Sequence, residues 1–188
     1  MRLSQPRLAP TDWTKWNDEQ KDTFKGVTAR GAPLNIFKTL AHHPKAARAY
    51  LRFGNHVLSR DNTLPARERE LVILRVGFLC KSGYEFVQHK AIGLRAGLTE
   101  EEIERLKQGP GAPGWSEPDK LLLQATDDLH TDYHVSDAVW AGLKEHFVDQ
   151  QLIDLVFTVG QYTQTSMMLN TLGVQLDPGQ TLDPDLKK

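Results

Sequence analysis

The sequence predicts an all-α protein, on three observations: helix start and stop signals recur along its length, the apolar residues between them follow a helical period, and no alternating strand with a hairpin signal is found. Residues 1–30 read as an N-terminal arm with one short helix near Asn17-Asp18-Glu19-Gln20, followed by the break Gly31-Ala32-Pro33. A second short helix runs from Leu34 to Ala41 and ends at His42-His43-Pro44, where proline disfavours helical geometry in the residue before it. From Pro44 to Ser59, Ala47, Tyr50, Leu51 and Val57 keep helical spacing, and Arg60-Asp61-Asn62 closes the segment.

The next helix, about Ala66 to Lys81, has Pro65 suited to its first turn and is almost wholly apolar from Leu71 to Cys80. A helix without a polar face belongs in an enclosed, central position. Ser82-Gly83-Tyr84-Glu85 then has the capping-box pattern, in which Ser82 accepts from an orphan amide and Glu85 reaches back to the cap. The helix that starts there runs to Arg95 and stops at Gly97. Thr99-Glu100-Glu101-Glu102 is a second capping box, with Leu98 and Ile103 placed as a hydrophobic staple. Residues 109–114, with three glycines and two prolines, read as a loop of mobile composition. Three more helices are expected at about 117–132, 137–146 and 150–172, the last apolar on more than one face and so either buried or in contact with another subunit. Pro178, Pro184 and the terminal lysines read as a loose tail over 177–188, which leaves 31–176 as a single helical domain.

Composition narrows the function. A length of 188 residues with 39% apolar side chains suffices for one core. A net charge of −1, with 23 Lys and Arg spread along the chain, leaves no basic excess for a phosphate backbone, so nucleic acid is not an expected partner. The longest apolar run is too short to span a bilayer and residues 1–6 lack an apolar signal region, so no membrane association is expected and the cytoplasm is the expected compartment. The single cysteine, Cys80, excludes a Cys-x-x-Cys couple within the chain and sits in an apolar run that suits a buried structural thiol. His130 and His134 stand four apart near Asp127, Asp128 and Asp132, but no third ligand follows at a recognised spacing, and no metal site is expected. The sequence also lacks a dinucleotide-binding glycine motif, a phosphate loop, His-Glu-x-x-His and Gly-x-Ser-x-Gly.

The residues that suit chemistry cluster around one place. Glu85 and His89 are one helical turn apart, so a carboxylate and an imidazole share a face beside the buried helix. Glu85 has two uses open to it, as a partner of His89 or as the capping residue. Glu70 leads directly into the apolar run. It suits either the helix macrodipole or a desolvated carboxyl whose pKa is raised into an acid/base range. Tyr84 offers a hydroxyl to a substrate or an aromatic ring to the core. Arg75, alone on an apolar helix, offers a bidentate site for a substrate carboxylate or an internal ion pair.

Arg67-Glu68-Arg69-Glu70-Leu71-Val72-Ile73-Leu74-Arg75-Val76, Tyr84-Glu85-Phe86-Val87-Gln88-His89 and Gly97-Leu98-Thr99 together resemble the carboxymuconolactone decarboxylase-like family, which includes the alkylhydroperoxidase D branch. Asn35-Ile36-Phe37, Leu40-Ala41-His42-His43-Pro44 and Gln161-Tyr162-Thr163 look like segments of its longer members, so the resemblance covers residues 30–176. It implies the alkylhydroperoxidase D-like helical fold and a homo-oligomer, commonly a trimer or hexamer. The peroxidase branch pairs an upstream glutamate with Cys-x-x-Cys and a histidine four residues after the second cysteine. Glu70 and His89 match the outer elements, but Ser82 and Glu85 stand where the cysteines would be, so dithiol chemistry does not carry over. The decarboxylase branch places a glutamate four residues before the histidine, as Glu85 and His89 are placed here.

The expectation is therefore a cofactor-independent acid/base enzyme acting on a small carboxylated or lactone-bearing molecule, with His89 moving the proton, Glu85 orienting it, Glu70 relaying, and Tyr84 and Arg75 binding substrate. Two alternatives stand beside it. One is an alkylhydroperoxidase-type peroxidase working through Cys80 and an external thiol, and the other is a non-catalytic oligomeric binding protein.

Overall fold

The structure is a computed structural model that describes residues 2–29 and 31–187. Nine α-helices follow one another among these residues: α1 (Asp18–Thr28), α2 (Asn35–Leu40), α3 (Pro44–Leu58), α4 (Ala66–Leu79), α5 (Gly83–Ala96), α6 (Glu100–Leu106), α7 (Glu117–Thr131), α8 (Asp137–His146) and α9 (Asp149–Leu172). Short 3-10 turns at Trp13–Lys15 and Pro184–Leu186 flank them, and no strand is present among the described residues.

As its sequence requires, α4 is the central element, packed against α5, α6, α7 and α9. Every residue from Glu70 to Gly77 is buried. One side of α4 contributes Val72, Ile73 and Val76 to a core shared with α3, α7, α8 and α9, and the other contributes Leu71 and Leu74 to a core with Phe86, Ile103, Leu106 and Leu123. Each fully buried leucine or isoleucine here stabilises the fold by about 1.5–3 kcal/mol relative to an exposed one.

The Thr99–Glu102 capping box forms as expected: Glu102 N donates to Thr99 Oγ1 at 3.1 Å and Thr99 N donates to Glu102 Oε2 at 2.8 Å. Its counterpart at Ser82 and Glu85 does not form. The turn from α4 to α5 is so tight that Ser82 N already donates to Gly77 O at 2.8 Å, with Lys81 held at a φ of +52° to allow it. The cap amide therefore needs no carboxylate, and Glu85 turns inward.

Two segments are more firmly held than their composition suggests. In the 109–114 loop, Gly109 lies against the Arg75 guanidinium and its carbonyl accepts from Trp115 Nε1 at 3.2 Å. At the C-terminus, Asp177 Oδ1 accepts from Asn35 N at 2.8 Å, Asp183 holds Lys107 at 2.9 Å, and Leu186 is buried in the core beside α4. The expected loose tail is instead docked, because two carboxylates and one leucine find buried partners on the domain. At the N-terminus, α1 is longer than expected and packs on α3, with the Phe24 ring tilted against Trp16 at 5.0 Å between centroids.

Candidate active site

Helices α3, α4, α5 and α9 bring together what the sequence keeps apart. Glu70 on α4 and His89 on α5 meet across the helix pair, with Glu70 Oε2 2.7 Å from His89 Nδ1. Glu70 is 1% exposed and His89 7%. The close approach of α4 and α5 has a sequence cause in Gly93, where a Cβ would stand 3.0 Å from Leu98 Cδ1 and 3.2 Å from Leu74 Cδ1. From α9, Tyr162 sets its ring edge-on to the imidazole, with centroids 4.7 Å apart and an interplanar angle of 83°. A carboxylate only accepts, so against ionised Glu70 the Nδ1 atom carries the proton and Nε2 is the basic nitrogen.

His89 lines a cavity of about 200 Å³ whose wall is mostly apolar, with Ile36, Phe37, Leu51 and Ile92 among its residues. Its polar lining includes Tyr50, Tyr84, Glu85, Gln88, Gln161 and Thr165. No Lys or Arg lines it among the described residues.

The predicted site residues divide into those at this cavity and those elsewhere. Glu70 and His89 pair directly, and Glu70, not Glu85, orients the imidazole. Glu85 is 2% exposed, accepts from Ser166 Oγ at 3.0 Å through Oε2, and leaves Oε1 without a partner beside Gly77. Burial pushes its carboxyl well above the ordinary range, outweighing the Ser166 hydrogen bond. Glu85 is therefore a neutral carboxylic acid over a span of pH where an exposed glutamate is ionised.

Tyr84 reaches the cavity wall, but its hydroxyl donates to Asp177 Oδ2 at 2.6 Å and accepts from Ile36 N at 3.4 Å. Arg75 lies on a different face of α4 and does not line the cavity. Its Nε and Nη2 each donate to Asp127 at 2.7 Å, and Nη1 donates to Leu106 O at 2.8 Å, so the guanidinium is occupied within the protein. Cys80 opens onto a different cavity of about 440 Å³, which Arg2, Arg7, His130 and Asn170 also line. Burial and then the Glu85 carboxyl push its thiol up to about 11, with Sγ 3.8 Å from His130 Nδ1.

Tyr50 and Gln161 were missed. Tyr50 belongs to the apolar stripe of α3, and nothing in that pattern distinguishes it from a core aromatic; its hydroxyl pairs with Thr165 Oγ1 at 3.1 Å and burial pushes it up to about 12. Gln161 is buried on α9 whereas Gln164 three residues on is exposed, so its place in the sequence does not single it out.

Residues 44–109 match the carboxymuconolactone decarboxylase family. No curated protein matches the sequence. Among solved structures, the alkylhydroperoxidase D core of an uncharacterised peroxidase-related protein from Ralstonia eutropha JMP134 superposes with a TM-score of 0.79 at 20% identity, covering 92% of this chain and 93% of that one. A peroxidase-related protein from Silicibacter sp. TM1040 gives 0.76 at 19% identity, with 94% of this chain and 92% of that one covered. A cysteine-to-alanine variant of the debrominase Bmp8 in complex with 2,3,4-tribromopyrrole gives 0.73 at 10% identity, with 93% of this chain and 94% of that one covered.

Proposed function

We propose, for a chain of the carboxymuconolactone decarboxylase-like family on the alkylhydroperoxidase D-like fold, an enzyme that moves a proton on a small, largely apolar carbonyl compound of the lactone type. The observation that carries this reading is the buried contact of 2.7 Å between Glu70 and His89 at the wall of an apolar cavity. His89 Nε2 takes the proton from a carbon next to the carbonyl, and the C–H electron pair moves into the enolate. Glu70 accepts from Nδ1–H throughout and stabilises the imidazolium that forms. Glu85, neutral in its apolar setting and part of the lining, is assigned the hydrogen bond toward the developing oxyanion. The imidazolium then returns the proton to the same carbon or to a neighbouring one. The chemistry calls on no electron carrier.

Decarboxylation follows the same logic. His89 here starts protonated on both nitrogens: the C–C bond to the carboxylate breaks, its electron pair stays on carbon as carbon dioxide leaves, and the Nε2 proton of the imidazolium passes to that carbon, leaving neutral His89. The lining favours the neutral carbonyl compound over a carboxylate, since no Lys or Arg lines the cavity among the described residues. The bound tribromopyrrole of the debrominase supports the same reading, because it is a small neutral ring held on this fold. A peroxidase working through Cys80 is disfavoured by a thiol pushed up to about 11 in a separate cavity, since the thiolate is the reactive form.

The test is solvent-deuterium incorporation into a panel of lactones, together with carbon dioxide release from 4-carboxymuconolactone, in the native protein and in His89→Asn. The expected result is deuterium incorporation into a neutral lactone by the native protein that falls by about 100-fold or more in the variant, the usual size of a general-base contribution, with little carbon dioxide release from the carboxylated lactone. Equal turnover in both, or none in the folded native protein, would overturn the reading.

A further inference from the structure

One polar group in the cavity has no part in proton transfer. Gln161, on α9, is 1% exposed, and neither Nε2 nor Oε1 of its carboxamide has a hydrogen-bond partner. The residue lines the same cavity as His89. The Tyr50 hydroxyl, hydrogen-bonded to Thr165 Oγ1, has an oxygen still open to one N–H of the carboxamide, which leaves the second N–H and Oε1 for another partner. At Gly54, on α3, there is no side chain to fill the space, and a Cβ there would stand 3.4 Å from Gln161 Nε2. A carboxamide buried with both its donor and its acceptor unpaired is costly, and the cost is recovered when one molecule pairs both.

The charges around it narrow what that molecule is. The cavity lining includes no Lys or Arg among the described residues, and the His89 imidazole is already paired with Glu70. Arg69, on α4, acts on Tyr162 from outside the lining. Glu85, also in the lining, is held neutral by burial, with its unpaired Oε1 beside Gly77. A carboxylate placed here would lose its water, find no cation among the described lining residues, and present only acceptors to the Gln161 carbonyl.

We infer that Gln161 is a specificity-determining residue that pairs with a neutral carbonyl group carrying a donor beside it, as in a primary carboxamide or a lactam, and that the cavity excludes the matching carboxylate. This deepens the proton-transfer reading and rests on it for the use of the cavity as the substrate site. The pairing itself needs no turnover.

Benzamide and benzoate are close to the same shape and differ in charge and in the N–H donor. Isothermal titration at pH 7 is expected to give benzamide an affinity at least tenfold above that of benzoate. In Gln161→Met, which keeps the length and removes the amide, benzamide loses about tenfold and the preference falls below twofold. Benzoate binding as tightly as benzamide, no binding of either to the native protein, or a folded Gln161→Met with the preference intact would each overturn the inference. The native comparison stands alone if that variant does not fold. His89→Asn separates this inference from the reading beneath it. An intact benzamide preference with no native turnover sinks the proton-transfer reading alone, whereas His89-dependent turnover without the preference sinks the Gln161 role alone.

Discussion

Glu85 shows how little a residue's place in a sequence says about its state. On the surface of a helix it would be an ordinary ionised partner for a histidine one turn away. Here it lies against Gly77 and Ser166, and burial raises its pKa well above the usual value. The sign of the consequence is definite. A carboxyl whose folded pKa lies above its unfolded one contributes fully below the unfolded value and costs stability as pH rises through the folded one. Glu85→Gln keeps the shape and removes the ionisation. Thermal denaturation should therefore show the variant level with the native protein near pH 4 and gaining on it steadily toward pH 9. A difference that shrinks as pH rises would mean that Glu85 is not held neutral. The Ser166 hydroxyl stands 3.0 Å from the carboxyl and can serve the amide as well.

Helix α4 divides its faces between two tasks. One face carries Glu70 to His89 and Gly77 to Glu85, and another carries Arg75 to Asp127 on α7. The Arg75–Asp127 pair is bidentate and largely buried, with Gly109 packed on it closely enough that a Cβ there would stand 2.9 Å from Nη2. Removing one member of such a pair strands the other, at a cost of about 3–5 kcal/mol. Arg75→Met should lower stability by about that amount in chemical denaturation, and Arg75→Met with Asp127→Leu should recover most of it. Neither change should alter His89-dependent turnover measured where the protein is folded, because Arg75 is not part of the cavity wall. A loss of turnover in the folded double variant would return Arg75 to the substrate.

The molecule as a whole leaves one apolar side of α9 partly exposed in the single chain. Ile153 is 55% exposed, Phe157 45% and Met167 62%, and they recur at spacings that keep them on one side of the helix. Leu58 and Val148 are exposed as well. An apolar stripe of this kind on a folded protein marks a contact surface, and the family resemblance implies a trimer or hexamer. Light scattering of the native protein should give a multiple of 21.2 kDa, and Ile153→Asp with Phe157→Asp should reduce it to the single-chain mass. A native protein that runs at the single-chain mass would remove the expectation of a homo-oligomer.

What the sequence by itself determined was local. Helix ends depend on neighbouring residues, so Gly97, the Thr99–Glu102 box and the prolines at 44 and 65 marked them within a residue or two. The unbroken apolar run from Leu71 likewise required α4 to be central. His89 stood out because few side chains suit proton transfer near neutral pH. Only the tertiary structure decided the partners. Glu70 and Glu85 were both plausible beside His89, and the choice between them was made by the tight α4–α5 turn, which satisfied the Ser82 amide and turned Glu85 inward. Arg75 was assigned to Asp127 rather than to a ligand by which face of α4 meets α7, and the C-terminal segment was ordered by Asp177 and Asp183 finding donors far away in the chain. The unpaired carboxamide of Gln161 became visible only when four helices enclosed it. Caps and periods arise from neighbours along the chain, whereas burial, pairing and the lack of a partner are properties of residues brought together by packing.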